Sequence, residues 1–267
     1  MRKIRVMERS EPKIILFDLE TLPNLREAMK VWPGISNYPG LTLRASINSM
    51  ICCGYKVFGE PGKPKCLNAW DYKGWKKNVN DDFELVRDVR ELLFEADAVV
   101  THNGKRFDWK FLQTRLLVHG LAPLPKIRHI DTCAVAKANT MFFNNRLNTL
   151  GEFVGKDKKI DNGGWELWER VMDRETKALK EMTDYCIHDV VVLEKVFRKM
   201  RPLVSEIPNY NLFKVGVDKD LCPKCGSSRL WANGFRSTAT TLFKRFQCQD
   251  CGSCCQQPAE NKVPRSF

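Results

Sequence analysis

Apolar residues recur along the first two hundred positions in two rhythms. Residues 14–18, Ile-Ile-Leu-Phe-Asp, form a short apolar run ending in an acid, the pattern of a buried strand. Residues 22–48 carry Pro23, Pro33, Gly34, Pro39 and Gly40 and are expected to be mostly loop. Residues 49–58 and 65–70 read as the next two strands. Over 83–95 the apolar side chains return at helical spacing. A short strand is predicted at 98–101, a helix at 109–119 and a strand at 127–131, and helical segments dominate from about residue 133 to 200. The order predicts an α/β domain built on a mixed sheet flanked by helices. Around Pro202, Pro208 and Gly216 the pattern breaks, which predicts a first domain over 1–216 and a small second unit over 217–267.

Composition narrows the picture. A chain of 267 residues, 43% hydrophobic, fits one medium domain with its own core and a small appendage. No run of 18 apolar residues is present, so no membrane-spanning helix and no membrane partner are expected. The opening MRKIRVMERSEPK lacks the apolar stretch of a secretory signal. The net charge of +12 fits a polyanionic partner, whose phosphates Lys and Arg neutralise, or simply a basic solvated surface; charge alone leaves the two level. Of eleven cysteines, Cys52, Cys53, Cys66, Cys133 and Cys186 are scattered without regular spacing and the other six crowd between positions 222 and 255. That usage predicts a reducing compartment, hence a cytoplasmic or otherwise intracellular protein.

Candidate chemistry begins with acids. Asp18 and Glu20 stand in Phe-Asp-Leu-Glu-Thr at the end of the first predicted strand, where alternate residues share a face, so both carboxylates can converge on one point. Asp108 ends Thr-His-Asn-Gly-Lys-Arg-Phe-Asp, after a strand-to-loop turn. Asp189 ends Tyr-Cys-Ile-His-Asp on a predicted helix, and Tyr185, four residues earlier, shares its face. Clustered carboxylates repel one another unless cations neutralise them, and hard oxygen ligands favour magnesium or manganese. Taken singly, each acid reads as an ordinary solvated charge; the ordered set carries the argument.

That set resembles the DEDD superfamily of 3′-to-5′ exonucleases, which have a ribonuclease H-like fold. The first motif matches as Phe17 to Thr21, the second as His102-Asn103-Gly104 followed by Phe107-Asp108, and the third as Tyr185 to Asp189. The second is most similar to the proofreading domains of family B DNA polymerases, and Asp131-Thr132 with LNTLGEFVG (147–155) also looks like that family. A tyrosine stands four residues before the last acid, which resembles the tyrosine branch of the superfamily; His188 has the wrong spacing for the histidine branch and is assigned a surface or supporting role. The resemblance implies two-metal-ion hydrolysis of a phosphodiester releasing nucleoside 5′-monophosphates. Asp18, Glu20 and Asp189 would hold one Mg2+ or Mn2+, Asp18 would bridge to a second with Asp108 supporting it, and Tyr185 would orient the attacking water. It also implies that Asn103, Phe107, Leu19 and Thr21 contact the terminal nucleotide, and that the partner is nucleic acid, with single-stranded DNA 3′ ends favoured and a separate polymerase or repair complex in view. Phe107 and Trp109 flank Asp108 and are candidates for stacking on bases, with core packing expected of at least one. Lys73, Trp75, Lys76 and Lys77 mix cations with an aromatic ring as single-strand binders do, although a solvated loop is the plainer reading. Two other classes stay open: a ribonuclease H-like endonuclease related to transposases, and a non-catalytic DNA-binding protein.

The cysteine-rich end has its own logic. Cys222-Pro-Lys-Cys225-Gly and Cys248-Gln-Asp-Cys251-Gly are two knuckles whose four thiolates suit one tetrahedral zinc ion, and a short module with little apolar content needs such a staple. Cys254 and Cys255 leave open a substitution among the ligands. The pattern is similar to zinc ribbons near the ends of some transposases, in which Arg236, Lys244 and Arg245 could meet phosphate; a structural cap or a protein-docking surface is the equal alternative.

Overall fold

A computed structural model of the chain describes residues 9–22, 48–157, 165–214 and 221–259. Most of the loop expected over 22–48 and the break at Gly216 lie outside the described residues. The chain forms two compact units, Lys13–Phe197 and Arg198–Phe267 with the residues before Lys13, so the division falls earlier than the break in the hydrophobic pattern.

The first unit is built on a five-stranded sheet. Strand β1 spans Ile14–Leu22, β2 Ser49–Val57 and β3 Lys65–Asn68; helix α1 follows at Phe83–Phe94, then β4 at Ala98–Thr101, α2 at Asp108–Val118, β5 at Arg128–Asp131 and α3 at Thr132–Asn139. A short turn of helix, α4 (Leu147–Leu150), runs on into a wider turn over Gly151–Gly155; α5 is Trp165–Met172 and α6 the long Thr176–Met200. The strand order is β3-β2-β1-β4-β5, antiparallel from β3 to β1 and parallel from β1 to β5. This is the mixed sheet that the hydrophobic pattern predicts. β4, Ala-Val-Val-Thr, is buried along its whole length, as a strand covered on both faces must be.

Alternation along β1 divides the core. Ile15, Phe17 and Leu19 join Leu85, Val86, Val89 and Leu93 of α1 and Phe111, Leu112 and Leu116 of α2 on one face. On the other, Leu22 packs with Ile51, Cys52, Leu167 and Val171 of α5 and Ala178, Met182 and Cys186 of α6. Trp75 belongs to the first cluster and is 3% exposed. Residues 73–77 form a turn of helix with that ring inward, beneath the Arg174 guanidinium 5.4 Å from its centroid. The mixed basic-aromatic segment is therefore half core, a correction to its reading as a solvated loop or a strand-binding patch.

One buried acid is explained wholly by packing. Asp82 accepts from the Met50 N–H (2.7 Å), the Arg115 Nε (2.9 Å) and His119 Nε2 (2.6 Å), pinning the start of α1 to β2 and α2. Burial pushes its carboxyl up, but the His119 and Arg115 hydrogen bonds outweigh that and hold it below the usual range.

The second unit carries a three-stranded antiparallel sheet, β6 (Leu230–Ser237), β7 (Leu242–Cys248) and β8 (Cys254–Pro258). Before it, the segment around Tyr210 is tied to the first cysteine knuckle: Tyr210 N–H donates to Pro223 O (2.8 Å), and Asn211 Nδ2 to Leu221 O (3.0 Å). Among the described residues, no helix is long and apolar enough to cross a membrane.

Candidate active site and cysteine cluster

The carboxylates meet where β1 passes under α6. Asp18 lies opposite Gly54 of β2, and a Cβ at Gly54 would stand 2.6 Å from the Cys186 carbonyl oxygen. The missing side chain lets α6 settle onto the sheet at this point, and the next turn of that helix carries Asp189 down beside β1. Ligand oxygens of Asp18, Glu20 and Asp189 all lie within 4.8 Å of one another. Asp189 is fully buried, whereas Asp18 and Glu20 are half-buried, so the group opens to solvent on the strand side. The β1–β2 register shifts between Glu20 and Thr21, a bulge of the kind that re-aims side chains beside active sites.

Asp108 is placed differently. It opens α2, 4% exposed, and its Oδ1 accepts from the N–H of Leu19, the residue between Asp18 and Glu20, at 3.1 Å. It thus holds the backbone of the acidic strand. Leu19 is 5% exposed with its side chain in the core, and what it offers the site is that N–H. Thr21 is buried, and its carbonyl accepts from Trp168 Nε1 (3.1 Å). Trp168 also meets Tyr185 edge to face, ring centroids 6.3 Å apart, so α5 braces the tyrosine. Sequence reasoning passed over Trp168, because nothing local ties it to residues so far away in the chain.

His188, next to Asp189 in sequence, has its Nε2 3.7 Å from Asp157 Oδ1. Asn103 is exposed in the left-handed region at φ 62°, which Asn tolerates better than most residues. Asp131 fixes that turn: it accepts from the N–H groups of Asn103 (2.9 Å) and Lys105 (3.2 Å) and caps α3 through those of Cys133 and Ala134. Its position in Asp131-Thr132 was visible in the sequence; its bracing role was not. Phe107 and Trp109 are half-buried against the core, Phe107 beside Phe111 and Trp109 beside His129.

Three carboxylates from two elements, drawn within ligand range, suit a hard divalent cation: their mutual repulsion favours one, and oxygen donors select magnesium or manganese over softer ions. Cys52, Cys66 and Cys186 form another close group just behind, with sulfurs within 4.8 Å. They pack with Leu22, Ile51 and Met182; burial pushes the Cys52 thiol up, while hydrogen bonds with Cys186 and Cys52 hold the Cys66 thiol down at about 6.

In the second unit Cys222, Cys225, Cys248 and Cys251 bring their sulfurs within 4.8 Å of one another. Cys222 to Cys251 is 3.7 Å and Cys225 to Cys248 is 3.5 Å. Tetrahedral geometry with zinc–sulfur bonds of about 2.3 Å requires sulfurs roughly 3.8 Å apart, so the set fits zinc. Gly226 and Gly252 close the two knuckles at φ 72° and 73°, which a side chain would strain. Cys254 and Cys255 stand outside this group. Arg236, Lys244 and Arg245 are exposed on β6 and β7.

Comparison with known proteins adds three findings. The profile of the RNase_H superfamily matches residues 67–201, about half of the chain; Asp108, Tyr185 and Asp189 lie within the match and Asp18 and Glu20 before it. A DNA polymerase III PolC-type from Ureaplasma parvum serovar 3 is 36% identical over 73 residues, 27% of this chain and 5% of that protein. The structure of the family B DNA polymerase from the hyperthermophilic archaeon Pyrobaculum calidifontis matches with a TM-score of 0.54 at 16% identity, over 77% of this chain and 27% of the polymerase. The chain thus spans a small part of both polymerases, and the second likeness is one of fold.

Proposed function

The chain belongs to the RNase H superfamily, and from that premise we propose that it is a metal-dependent 3′-to-5′ exonuclease of the tyrosine branch, acting on nucleic acid with single-stranded DNA 3′ ends as the favoured substrate. The observation that carries this reading is the convergence of Asp18, Glu20 and Asp189 within 4.8 Å, with Tyr185 one helical turn before Asp189. Asp18, Glu20 and Asp189 would hold one Mg2+ or Mn2+, and Asp18, with Asp108 in support, a second. When bound, such ions supply charge neutralisation at the phosphate and a water of lowered pKa. The protein's own groups do the rest. Asp108 fixes the acidic strand through Leu19 N–H. The Tyr185 hydroxyl, steadied by Trp168, orients the attacking water rather than deprotonating it, since a phenol titrates near ~10. Asn103 and Phe107 flank the place of the terminal nucleotide, and Leu19 and Thr21, whose N–H and carbonyl are taken by Asp108 and Trp168, hold the strand beside it. The product is a nucleoside 5′-monophosphate.

The second unit is read as a zinc ribbon holding one structural ion through Cys222, Cys225, Cys248 and Cys251, with Arg236, Lys244 and Arg245 adding grip on phosphate. The deciding experiment is a gel time course with 5′-labelled DNA and RNA oligomers in magnesium or manganese, beside a circular single strand. Ladder-like shortening with the circle intact is expected. Cleavage of the circle at a comparable rate would replace the exonuclease with an endonuclease of the same superfamily.

A further inference from the structure

A cavity of about 520 Å³ opens at the end of β4, on the turn that leads to Asp108, lined in part by His102, Asn103, Lys137, Asn145, Arg146 and Asn148. β1 and β4 run parallel with Leu16 paired to Val100, and continuing that register brings Asp18 level with His102. The cavity wall and the strand that bears Asp18 and Glu20 thus leave the same end of the parallel pair. His102 anchors the wall through Nδ1 to Thr132 Oγ1 and Nε2 to the Asn145 carbonyl, both 2.9 Å. Lys137 and Arg146 are exposed, and neither has an ion-pair partner among the described residues. The loop that supplies Asn145 and Arg146 also carries Phe142 and Phe143, which form an aromatic ridge with Phe153 on the turn after α4: Phe143 is 79% exposed and Phe153 61%, their centroids 6.2 Å apart, with Phe142 6.4 Å from Phe153. Large rings left in water beside free cations and side-chain amides match the chemistry of unpaired nucleotides, which offer base faces and phosphates together.

We propose that this cavity and ridge form the bed for the nucleotides just upstream of the scissile phosphate: bases stack on Phe143 and Phe153, and phosphates meet Lys137 and Arg146. The assignment rests on the nuclease reading for its location and makes the preferred substrate a single strand, because paired bases cannot turn their faces to the ridge. A docking surface for a protein partner would need no exposed cations such as Lys137 and Arg146 in the cavity wall.

The test uses the full chain carrying Asp18→Ala, so that the strand is not consumed. Binding of a fluorescent ten-nucleotide oligothymidine, of the same oligomer with abasic sites upstream of its 3′ end, and of a blunt duplex is followed by anisotropy. Phe143→Ala with Phe153→Ala is expected to weaken oligothymidine binding about tenfold or more, within the range for lost base stacking. Its effect on the abasic oligomer and the duplex should be under twofold, and Phe143→Tyr with Phe153→Tyr should restore binding. Lys137→Ala with Arg146→Ala should lower the slope of log affinity against log salt by about 1.4, roughly 0.7 for each lost phosphate contact. Unchanged oligothymidine affinity in the ridge variant, or an equal loss on the duplex, would overturn the bed. No shortening of the same oligomer by the unmutated chain in magnesium or manganese, with the ridge effects intact, would instead overturn the exonuclease reading and leave the bed standing.

Discussion

The two ligand clusters of this molecule are held in opposite ways. Around Asp18, Glu20 and Asp189 the frame is apolar: β4 is wholly buried, Gly54 admits α6 to contact, and the carboxylates sit on elements whose positions are fixed by two packed faces of a sheet. Around Cys222, Cys225, Cys248 and Cys251 the frame is thin. β6 buries none of its eight residues, and Trp231 and Phe235 on it are 70% and 58% exposed. On the proposed reading, the first site exists before its ion arrives and must tolerate repulsion until then, whereas in the second the ion would do the work of a core. Mutation and metal removal should therefore act on different properties in the two regions: activity in one, folding in the other.

The largest effect is expected where metal replaces core. Chelation strong enough to remove zinc should unfold the second unit, since structural zinc contributes on the order of 10–16 kcal/mol of apparent binding energy in small modules. Amide hydrogen exchange should lose its protection across β6, β7 and β8 while β1 and β4 keep theirs, and metal analysis of untreated protein should return about one zinc per chain. Full protection of β6–β8 in metal-free protein would erase the contrast between the regions.

Next comes the reverse case. Asp18→Ala and Asp189→Ala should each lower turnover by about a thousandfold or more, the scale on which loss of one transition-state charge stabiliser is felt, and should leave the circular dichroism spectrum and the zinc content unchanged. Of the two, Asp189→Ala tests the contrast harder, since its carboxylate is fully buried. Removing a buried charge from beside two others should raise the thermal midpoint or leave it in place. A large fall in midpoint would make the acid structural.

Gly54→Ala lies between these two, because it strikes the frame and not the ligands. With a Cβ placed 2.6 Å from the Cys186 carbonyl, α6 must lift from β2. Overpacking of this kind costs about 1–3 kcal/mol, and since Tyr185 and Asp189 ride the same helix, turnover should fall together with stability. Denaturant midpoints and turnover measured on the same preparation check the coupling; a stability loss with turnover unchanged would mean that the helix position does not set the site.

The same contrast governs what could be read before the fold was known. Asp18 with Glu20, and Tyr185 with Asp189, were legible because strand alternation and the helical turn place each pair by local rules alone. The cysteine knuckles were legible because their geometry is almost entirely local too. What escaped is what arrives across the chain. Trp168 reaches Thr21 over 147 positions, Asp108 takes its hydrogen bond from Leu19 over 89, and Asp131 braces Asn103 over 28. Trp75 was misplaced for the same reason, since its flanking lysines are local and its burial is not.

The smallest expected effects separate the two residues of the third motif that could serve a water. Tyr185 lies one turn from Asp189 on the same face and is braced edge to face by Trp168. Tyr185→Phe keeps that ring contact and removes only the hydroxyl, so turnover should fall about tenfold, near the value of one hydrogen bond made to the reacting water, with affinity unchanged. His188 is next to Asp189 in sequence, but about 100° around the helix, and its Nε2 lies 3.7 Å from Asp157. Asp157 also accepts from Lys195 Nζ at 2.7 Å, so it keeps a cation when the imidazole is removed. His188→Ala should therefore change turnover less than about twofold and stability by no more than about 1 kcal/mol, since the half-buried pair is long at 3.7 Å and Asp157 keeps Lys195. The informative quantity is the ratio of the two turnovers in one buffer. If the histidine variant were the slower, the proton-handling group would lie on the other side of α6, and the assignment to the tyrosine branch would give way.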